Sequence, residues 1–168
     1  MMSTLHEAQI LSIAQQGEPV LAQLAQAVSN PLESEVQTLI RNMHATMLAA
    51  NGVGIAAPQV FQSLRIIIVA SRPNPRYPDA PLMEPIAMIN PEILWQSTET
   101  CLGEEGCLSV ENTRAQVARA EHLKMRYLNQ QGEKIEADYS GFVARIIQHE
   151  VDHLNGVLFV ERAELAQD

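Results

Sequence analysis

Cysteine is scarce in this chain, since only Cys101 and Cys107 occur among its 168 residues. Two cysteines argue against a disulfide framework and fit a reducing compartment. Long apolar runs are also missing, because no stretch reaches the roughly 20 residues that a membrane-spanning helix needs. Residues 1–7 lack a basic segment followed by an apolar one, so they predict no secretory signal. We therefore expect a cytoplasmic protein.

Basic residues are outnumbered, with 11 Lys and Arg against 20 Asp and Glu and a net charge of −9. This balance gives no electrostatic footprint for nucleic acid, so we expect no direct nucleic-acid binding. The hydrophobic fraction of 46% predicts a globular protein. No repeat, low-complexity segment or linker interrupts the chain, which predicts a single domain over residues 1–168.

Hydrophobic periodicity predicts an α+β fold. Residues 71–82 contain four prolines and predict an exposed loop. We expect mainly antiparallel β-sheets packed around a central helix, the second of two. The predicted helices cover residues 32–49 and 141–154, and the predicted strands cover residues 64–70, 86–90, 115–119, 122–128 and 134–138.

The central helix carries the sequence His149-Glu150-Val151-Asp152-His153. Residues four apart share a face of a helix, so His149 and His153 can bind one divalent ion. Glu150 would lie beside that ion as a general base for a bound water molecule. From this pattern alone, two histidines on a solvated helix face are an equal alternative.

The surroundings of the motif favour the metal site. Ser140 predicts the start of the helix and Asn155-Gly156 its end, and the apolar residues between them cover more than one stripe. Such a helix is expected to be largely buried, where a polar group without a partner costs about 1–3 kcal/mol. A metal ion would satisfy both imidazoles.

A catalytic site of this kind needs a third protein ligand and an open position. The extended zincin pattern H-E-x-x-H-x-x-G-x-x-H is excluded, because Phe159 occupies its last position. Glu161 and Glu164 lie too close to the motif to return as ligands. The third ligand is therefore expected upstream of the helix.

Three upstream residues are candidates for that ligand. Cys107 lies in Glu105-Gly106-Cys107-Leu108-Ser109, and a thiolate binds borderline and soft cations strongly. A buried apolar cysteine is the commoner fate of such a residue. His44 and His122 are competing candidates, so the residues alone leave the choice open.

Three segments in a fixed order resemble one known family. They are Gly52-Val53-Gly54-Ile55-Ala56-Ala57-Pro58-Gln59, then Glu105-Gly106-Cys107-Leu108-Ser109, then Gln148-His149-Glu150-Val151-Asp152-His153. Bacterial peptide deformylases carry G-φ-G-φ-A-A-x-Q, E-G-C-L-S and Q-H-E-x-D-H-L in this order, with φ apolar. The resemblance covers about residues 10–161, and three motifs in register are far more specific than one.

The resemblance implies a catalytic set. It implies that Cys107, His149 and His153 hold the ion and that Glu150 acts as acid and base. It also implies that Gln59 and the backbone N–H of Leu108 bind the developing oxyanion, where losing one donor typically costs about 3–4 kcal/mol of barrier.

Substrate-binding residues are expected around this set. By the resemblance, Val53 and Gly54 line the groove for the substrate backbone, and Arg114 lies near the substrate path. We also expect contacts from Gly106 and from Ile146, which would line an apolar pocket for methionine. The glycines of the first segment would let a peptide strand approach closely and add to a sheet edge.

The implied reaction removes the formyl group from the N-terminal formyl-methionine of newly synthesised polypeptides and releases formate. One divalent ion per chain is expected. The resemblance implies Fe(II) as the usual ion, and the same donors also suit Zn(II), Ni(II) or Co(II).

The chain departs from the family in places that do not touch the catalytic set. Asn51 stands where many members have an acidic residue, and Glu111 where many have proline. Many bacterial members end in a basic helix linked to ribosome docking. Residues 161–168 carry three acidic residues and one basic residue, so transient ribosome contact is not expected through this tail. Four alternatives stay open: a metallopeptidase using the same motif, a family member acting on another N-acyl substrate, a structural metal site in a binding module, and a family member that has lost activity.

Overall fold

The computed structural model describes residues 8–167, and the side chains of residues 164–167 lie outside that description. Its described part contains three α-helices and seven β-strands. The helices are α1 (Ser34–Ala49), α2 (Gly141–Leu154) and α3 (Phe159–Gln167). The strands are β1 (Gly54–Ala56), β2 (Ile66–Val69), β3 (Ile86–Gln96), β4 (Thr100–Cys107), β5 (Val110–Ala120), β6 (His122–Leu128) and β7 (Lys134–Ser140). A 3₁₀ turn, Ala57–Val60, follows β1 directly.

The strands form two antiparallel sheets. The larger has the order β1-β2-β3-β6-β7, so β1 is an edge strand, and the smaller is the β4–β5 hairpin. The register pairs Ile55 with Ile68 across β1 and β2. In the hairpin it pairs Gly103 with Val117. Because β4 follows β3 and β5 precedes β6, the hairpin extends from the same two strands that form the middle of the large sheet.

Strand β2 explains how the core is layered. All four of its residues are buried, and successive side chains point to opposite faces of a sheet. Ile67 and Val69 belong to the apolar cluster that includes α2, whereas Ile66 and Ile68 belong to the cluster that includes α1. The uninterrupted apolar run therefore reflects a strand covered by a helix on each side.

The hairpin has its own small core. Val110 and Val117 of β5 pack with Phe159 and Ala163 of α3. Helix α3 thus covers the hairpin, while α2 lies between the hairpin and the large sheet and contacts β1, β2, β5, β6 and β7. The motif-bearing helix therefore sits where the two sheets meet.

The sequence predictions agree with the main elements and differ at their ends. The α+β architecture with antiparallel sheets is confirmed, and the predicted helix over residues 141–154 has the observed bounds. Helix α1 begins two residues later than predicted, and β3 and β5 extend well beyond the predicted strands. Strands β1 and β4 and helix α3 were not predicted.

Four smaller expectations concern the ends of α2, the N-terminal residues and membrane-spanning segments. Ser140 occupies the N-cap position of α2 in an extended conformation, but its side chain makes no capping hydrogen bond. Gly156 ends the helix region with a left-handed φ of 77°. The prediction of no secretory signal concerns residues 1–7, which lie outside the described part. Among residues 8–167, no helix has the length and apolarity to cross a membrane.

Candidate active site

Helix α2 places three functional side chains next to one another. His149, Glu150 and His153 are all buried, with His153 only 1% exposed. The two imidazole rings meet edge to face, with 5.1 Å between their centroids. The four-residue spacing therefore has the effect predicted from the sequence.

Cys107, at the end of β4, brings the third donor. Its Sγ lies 3.4 Å from Nε2 of His153, and one donor atom from each of Cys107, His149 and His153 falls within 4.8 Å of the others. His44 and His122 are not part of this cluster. The donor set of one thiolate and two imidazoles suits a first-row divalent metal.

Electrostatics favour the metal-binding state of the thiol. Burial alone would raise the pKa of Cys107, but the charges and hydrogen bonds of His153 and His149 outweigh it and hold this pKa well below its ordinary value. Conversely, the pKa of His149 is raised despite burial, because Cys107 and Glu105 stabilise the imidazolium. The thiolate is the form that ligates metals.

Glu150 lies beside the donors and is buried among them. Its Oε1 is buried and has no hydrogen-bond partner among the described residues. Burial raises the pKa of Glu150 to about 7, against the opposing charges of His149 and His153. A carboxyl group with such a pKa can both accept and donate a proton near neutrality.

Gly54 makes room for this carboxylate. A Cβ at this position would lie 2.7 Å from Oε2 of Glu150 and 2.7 Å from Cγ2 of Ile146. Glycine is therefore required at position 54 by the close contact between β1 and α2. This role was not anticipated from the sequence, which assigned Gly54 to the substrate.

Gln59 is held rigidly at the other side of the donors. Its Oε1 accepts the backbone N–H of Ala56 at 2.9 Å, and its Nε2 donates to Oγ of Ser109 at 3.0 Å. The same Nε2 lies 3.6 Å from Sγ of Cys107. The amide N–H group is thus fixed next to the donor cluster, where the 3₁₀ turn after β1 positions it.

A buried ionic network lies beneath the donors. Glu105 of β4 binds Arg119 of β5 through both carboxylate oxygens at 2.9 Å, and its Oε1 lies 2.9 Å from Nδ1 of His149. Nη1 of Arg119 also donates to Asp152 at 2.7 Å, and Arg162 of α3 binds the same carboxylate. The network therefore connects both strands of the hairpin to α2 and α3.

The charges of this network are mutually stabilised. Burial alone would raise the pKa of Glu105, but the hydrogen bonds to Arg119 and His149 hold it well below its usual range. The pKa of Asp152 is likewise lowered, since Arg162 and Arg119 outweigh its burial. Glu105 stays ionised and fixes the ring of His149, as carboxylates behind metal-binding histidines commonly do.

A pocket opens from the donor cluster. Its lining includes the predicted residues Val53, Gly54, Gln59, Gly106, Cys107, Leu108, Ile146, His149 and Glu150. It also includes Phe142 and Arg145 of α2, which the sequence analysis did not single out. Asn51, noted as a departure from the family pattern, lies at the rim with a left-handed φ of 57°.

The proline-containing segment 71–82 supplies a further wall. Ser71 Oγ donates to the carbonyl of Pro81 at 2.6 Å, and Arg72 Nη1 donates to the carbonyl of Gly52 at 2.7 Å. These bonds place Arg76 and Tyr77 in the lining of the pocket. The segment is a loop, as predicted, but one that contributes to the site.

Arg114 is placed differently from the other predicted residues. It is absent from the pocket lining and instead lies 5.1 Å from the ring centroid of Tyr77. Its Nη1 would lie 2.8 Å from a Cβ on Gly106, and its Nε is 3.3 Å from Glu104. Arg114 therefore packs behind the pocket wall.

Some of the missed residues carried a sequence signal. Arg145 and Asp152 are charged residues on a helix predicted to be buried, which requires buried partners. Glu105 was part of a recognised motif, but no role was assigned to it. Arg76 and Tyr77 gave no signal, because their place depends on how the loop folds back.

Phe159 illustrates the departure from the zincin pattern. Its ring stacks on His149, with 5.9 Å between the centroids. It packs against His149 and occupies the sequence position that a third histidine would take in that peptidase class.

Comparisons with known proteins agree with this geometry. The sequence profile of the family described as polypeptide deformylase matches residues 10–168. Peptide deformylase 2 of Nostoc sp. is 53% identical over 93% of this chain and 87% of its own length. Peptide deformylase 2 of Shewanella oneidensis is 46% identical over 94% of this chain and 86% of its own length.

Two solved peptide deformylase structures are also similar to this chain in fold and in sequence. A Met-Ala-Ser-bound class I type b peptide deformylase from Acinetobacter baumannii has a TM-score of 0.91 and 59% identity, covering 93% of this chain and 99% of that chain. A peptide deformylase from Thermotoga maritima has a TM-score of 0.82 and 38% identity, covering 94% and 98%.

Proposed function

The chain belongs to the peptide deformylase family, whose members are metal-dependent enzymes that remove the N-formyl group from nascent polypeptides. From this premise we propose that residues 1–168 form a single catalytic domain in which Cys107, His149 and His153 hold one divalent ion. The convergence of these three donors beside the buried carboxylate of Glu150 is the observation that carries the proposal.

The residues fit such an ion. The donor atoms converge within 4.8 Å, the thiol is stabilised as a thiolate, and Glu105 leaves Nε2 of His149 free by engaging Nδ1. When bound, the ion supplies a Lewis acid that makes water nucleophilic near neutral pH and polarises a carbonyl. We propose Fe(II) as the native ion, with Zn(II), Ni(II) or Co(II) accepted by the same donors.

Glu150 is proposed to move the protons. Its pKa of about 7 lets it take a proton from the attacking water and return it to the leaving amine. Its unpartnered Oε1 and its position beside the ligand pair leave the carboxylate available for both transfers. The close packing of Gly54 and Ile146 restricts its movement.

Gln59 and Leu108 are proposed to stabilise the tetrahedral oxyanion. The side-chain amide of Gln59 is fixed by Ala56 and Ser109, so it is preorganised before the substrate arrives. Leu108 lies in the pocket lining next to Cys107, where its backbone N–H can supply a second donor. Preorganised donors cost no reorganisation during the reaction.

The edge of β1 is proposed to bind the substrate main chain. β1 pairs on one side with β2, and Val53 and Gly54 line the pocket next to its outer edge. Strand addition there would recognise a peptide without selecting its sequence. Ile146 and Gly106 would contact the first residues of the substrate, and Arg114 would act from behind the wall by holding Tyr77.

The substrate also suggests where the protein works. Formyl-methionine N-termini arise on nascent chains, so we propose a bacterial cytoplasmic location with transient contact to the ribosome. Helix α3 packs on the hairpin, and its one basic side chain, Arg162, is engaged by Asp152. We therefore propose that any ribosome contact uses another surface.

Formate release from formyl-Met-Ala-Ser tests the proposed function. The protein is purified without air and loaded with nickel or iron, and unformylated Met-Ala-Ser-containing peptide controls are checked for internal cleavage. Formate release with intact controls is expected. Air exposure should lower the activity of the iron form, and nickel should restore it.

Glu150→Gln tests the assigned proton transfer. The variant should bind one metal ion per chain and lose at least about 100-fold in kcat, as expected for a general acid–base residue. Glu111→Gln, at an exposed position of β5, is the matched control and should keep full activity. Normal turnover by Glu150→Gln would remove Glu150 from the mechanism.

A further inference from the structure

Arg145 is the one arginine in the pocket lining that is itself buried. It precedes His149 by one helical turn of α2 and is 8% exposed. Its Nη1 donates to Oε2 of Glu105 at 2.7 Å and to the carbonyl of Val117 at 2.8 Å. Its Nη2 donates to the carbonyl of Cys101 at 2.6 Å. The guanidinium is therefore fixed by the hairpin and does not need the substrate as a partner.

The guanidinium packs flat against Gly103 of β4. A Cβ on Gly103 would lie 2.8 Å from Cζ and 2.9 Å from both Nε and Nη2 of Arg145. A side chain at position 103 and the guanidinium thus compete for the same space. The arginine from the helix fills a volume that the strand leaves empty.

Arg145 also borders two cavities. Together with Phe142, it lines both the pocket at the donor cluster and a second cavity of about 310 Å³, where Leu102, Gly103 and Gly141 are further neighbours. Since its polar atoms are engaged by Glu105 and by backbone carbonyls, the side chain is held in place where the two cavities share their lining.

We propose that Arg145, seated on Gly103, closes the pocket for the first side chain of the substrate and so sets the length of side chain that is accepted. This inference rests on the proposed function, in which that pocket receives methionine. A fixed partition accommodates four side-chain heavy atoms and excludes longer chains. Removing it would join the pocket to the cavity behind it.

Paired substrates test this assignment. Formyl-Met-Ala-Ser is compared with formyl-2-aminooctanoyl-Ala-Ser, whose unbranched first side chain is two heavy atoms longer. Hydrophobic pockets discriminate about 10- to 200-fold per methylene, so the wild-type protein should prefer methionine by at least about 10-fold in kcat/KM. Arg145→Ala should lower that preference about 10-fold or more, because the longer chain gains access to the second cavity.

Two variants separate volume from charge. Arg145→Met removes the same charge but keeps most of the length, so it should retain the preference for methionine. In the double variant Arg145→Ala with Gly103→Leu, a leucine side chain from β4 fills the space that the guanidinium left. This variant should restore the preference for methionine. Each preference is a ratio measured on one variant, so a general loss of activity or metal cancels.

Equilibrium binding gives a second readout that needs no turnover. Met-Ala-Ser and 2-aminooctanoyl-Ala-Ser are titrated into each metal-loaded variant, and the ratio of their Kd values should follow the same order. If Arg145→Ala does not fold, Gly103→Ala replaces it. The added Cβ would push the guanidinium into the pocket and weaken the longer ligand more than the shorter one.

The outcomes distinguish a failure of the proposed function from a failure of the role proposed for Arg145. Absence of formate from the wild-type protein would refute the proposed function, while the binding ratios would still test the partition. An unchanged substrate preference and an unchanged Kd ratio in Arg145→Ala, or in Gly103→Ala, would overturn the role of Arg145 even in an active deformylase. Loss of the preference in Arg145→Met as well would also overturn it, because charge rather than length would then be the cause.

Discussion

The two walls of the site are built by different physical means. On one side, β1 and the large sheet contact α2 through apolar side chains such as Ile67, Ile146 and Ile147. On the other, the β4–β5 hairpin contacts α2 through Glu105 and Arg119, which are both buried. The apolar wall buries hydrophobic side chains, whereas the ionic wall holds the ring of His149 through Glu105. The difference predicts that damage to each wall has a different signature.

Removing the central arginine should give the largest effect. Arg119→Met keeps the volume but leaves the buried carboxylates of Glu105 and Asp152 short of a partner. Breaking a buried ion pair in this way costs about 3–5 kcal/mol. The free energy of unfolding, measured by urea denaturation, should fall by this amount, and metal affinity should fall with it.

An exposed arginine provides the control for that change. Arg126 of β6 is bonded to Glu92 at 3.3 Å, with 38% of its side chain exposed. Because exposed ion pairs contribute about 0–1 kcal/mol, Arg126→Met should be nearly neutral. A similar loss in both variants would show that the burial of the network has no special importance.

Damage to the apolar wall should reduce stability alone. Ile67→Ala removes buried methyl groups from the cluster that includes α2 and should cost about 2–5 kcal/mol. The metal affinity of the folded protein, measured by chelator competition, should stay within about threefold of wild type, since a change near 1.4 kcal/mol would be needed for tenfold. Ile10→Ala, at a position that is 62% exposed, is the matched control. A large loss of metal affinity in Ile67→Ala would mean that the walls are not independent.

The difference between the apolar wall and the ionic wall also determines which secondary-structure elements could be predicted from the sequence. Strand β2 is an apolar run, and α2 combines apolar periodicity with a cap and a stop signal, so both were predicted. Strand β4 has the sequence Thr100-Cys101-Leu102-Gly103-Glu104-Glu105-Gly106-Cys107, and Glu105 is its one fully buried side chain. The sequence of β4 has no alternation of apolar and polar residues that would predict a strand. Its stability comes instead from pairing with β5 and from charges on distant elements.

The site residues divide in the same way. His149, Glu150 and His153 were singled out from one short motif, whose chemistry is local, and Cys107 was chosen over His44 and His122 only through the family resemblance. Predicting the position of Arg145 would have required knowing that it packs on Gly103. Gly103 lies 42 residues earlier and leaves the space that the guanidinium fills. Predicting the position of Tyr77 would have required the fold of residues 71–82, in which Ser71 and Arg72 make the hydrogen bonds that turn the loop back. Such placements depend on partners that no local pattern specifies.

Glu105→Gln should give a smaller but more selective effect than Arg119→Met. The amide keeps the shape of the carboxylate and loses the charge that stabilises the N–H group of His149. Losing such a partner typically lowers metal affinity about 10- to 100-fold. Chelator competition with zinc or nickel measures this loss.

Its neighbour in sequence is the matched control. Glu104→Gln changes a side chain that is 55% exposed and is bonded only to Arg114 among the described residues. This variant should bind metal like the wild type. Equal metal affinities for Glu105→Gln and the wild type would show that the ionic wall does not influence metal binding.

Acid should weaken the ionic wall before the apolar one. The folded-state pKa values of Glu105 and Asp152 are lowered, so their contribution is present above the unfolded values of about 4.3 and 3.9 and is lost as the pH falls below them. We expect the free energy of unfolding of the chelator-treated protein to decrease between pH 5 and pH 3. Arg119→Met, in which both carboxylates have lost a cation, should show a shallower decrease, whereas Ile67→Ala should keep the wild-type slope at a lower overall stability. Equal slopes in Arg119→Met and the wild type would show that these carboxylates are not the groups that acid titrates.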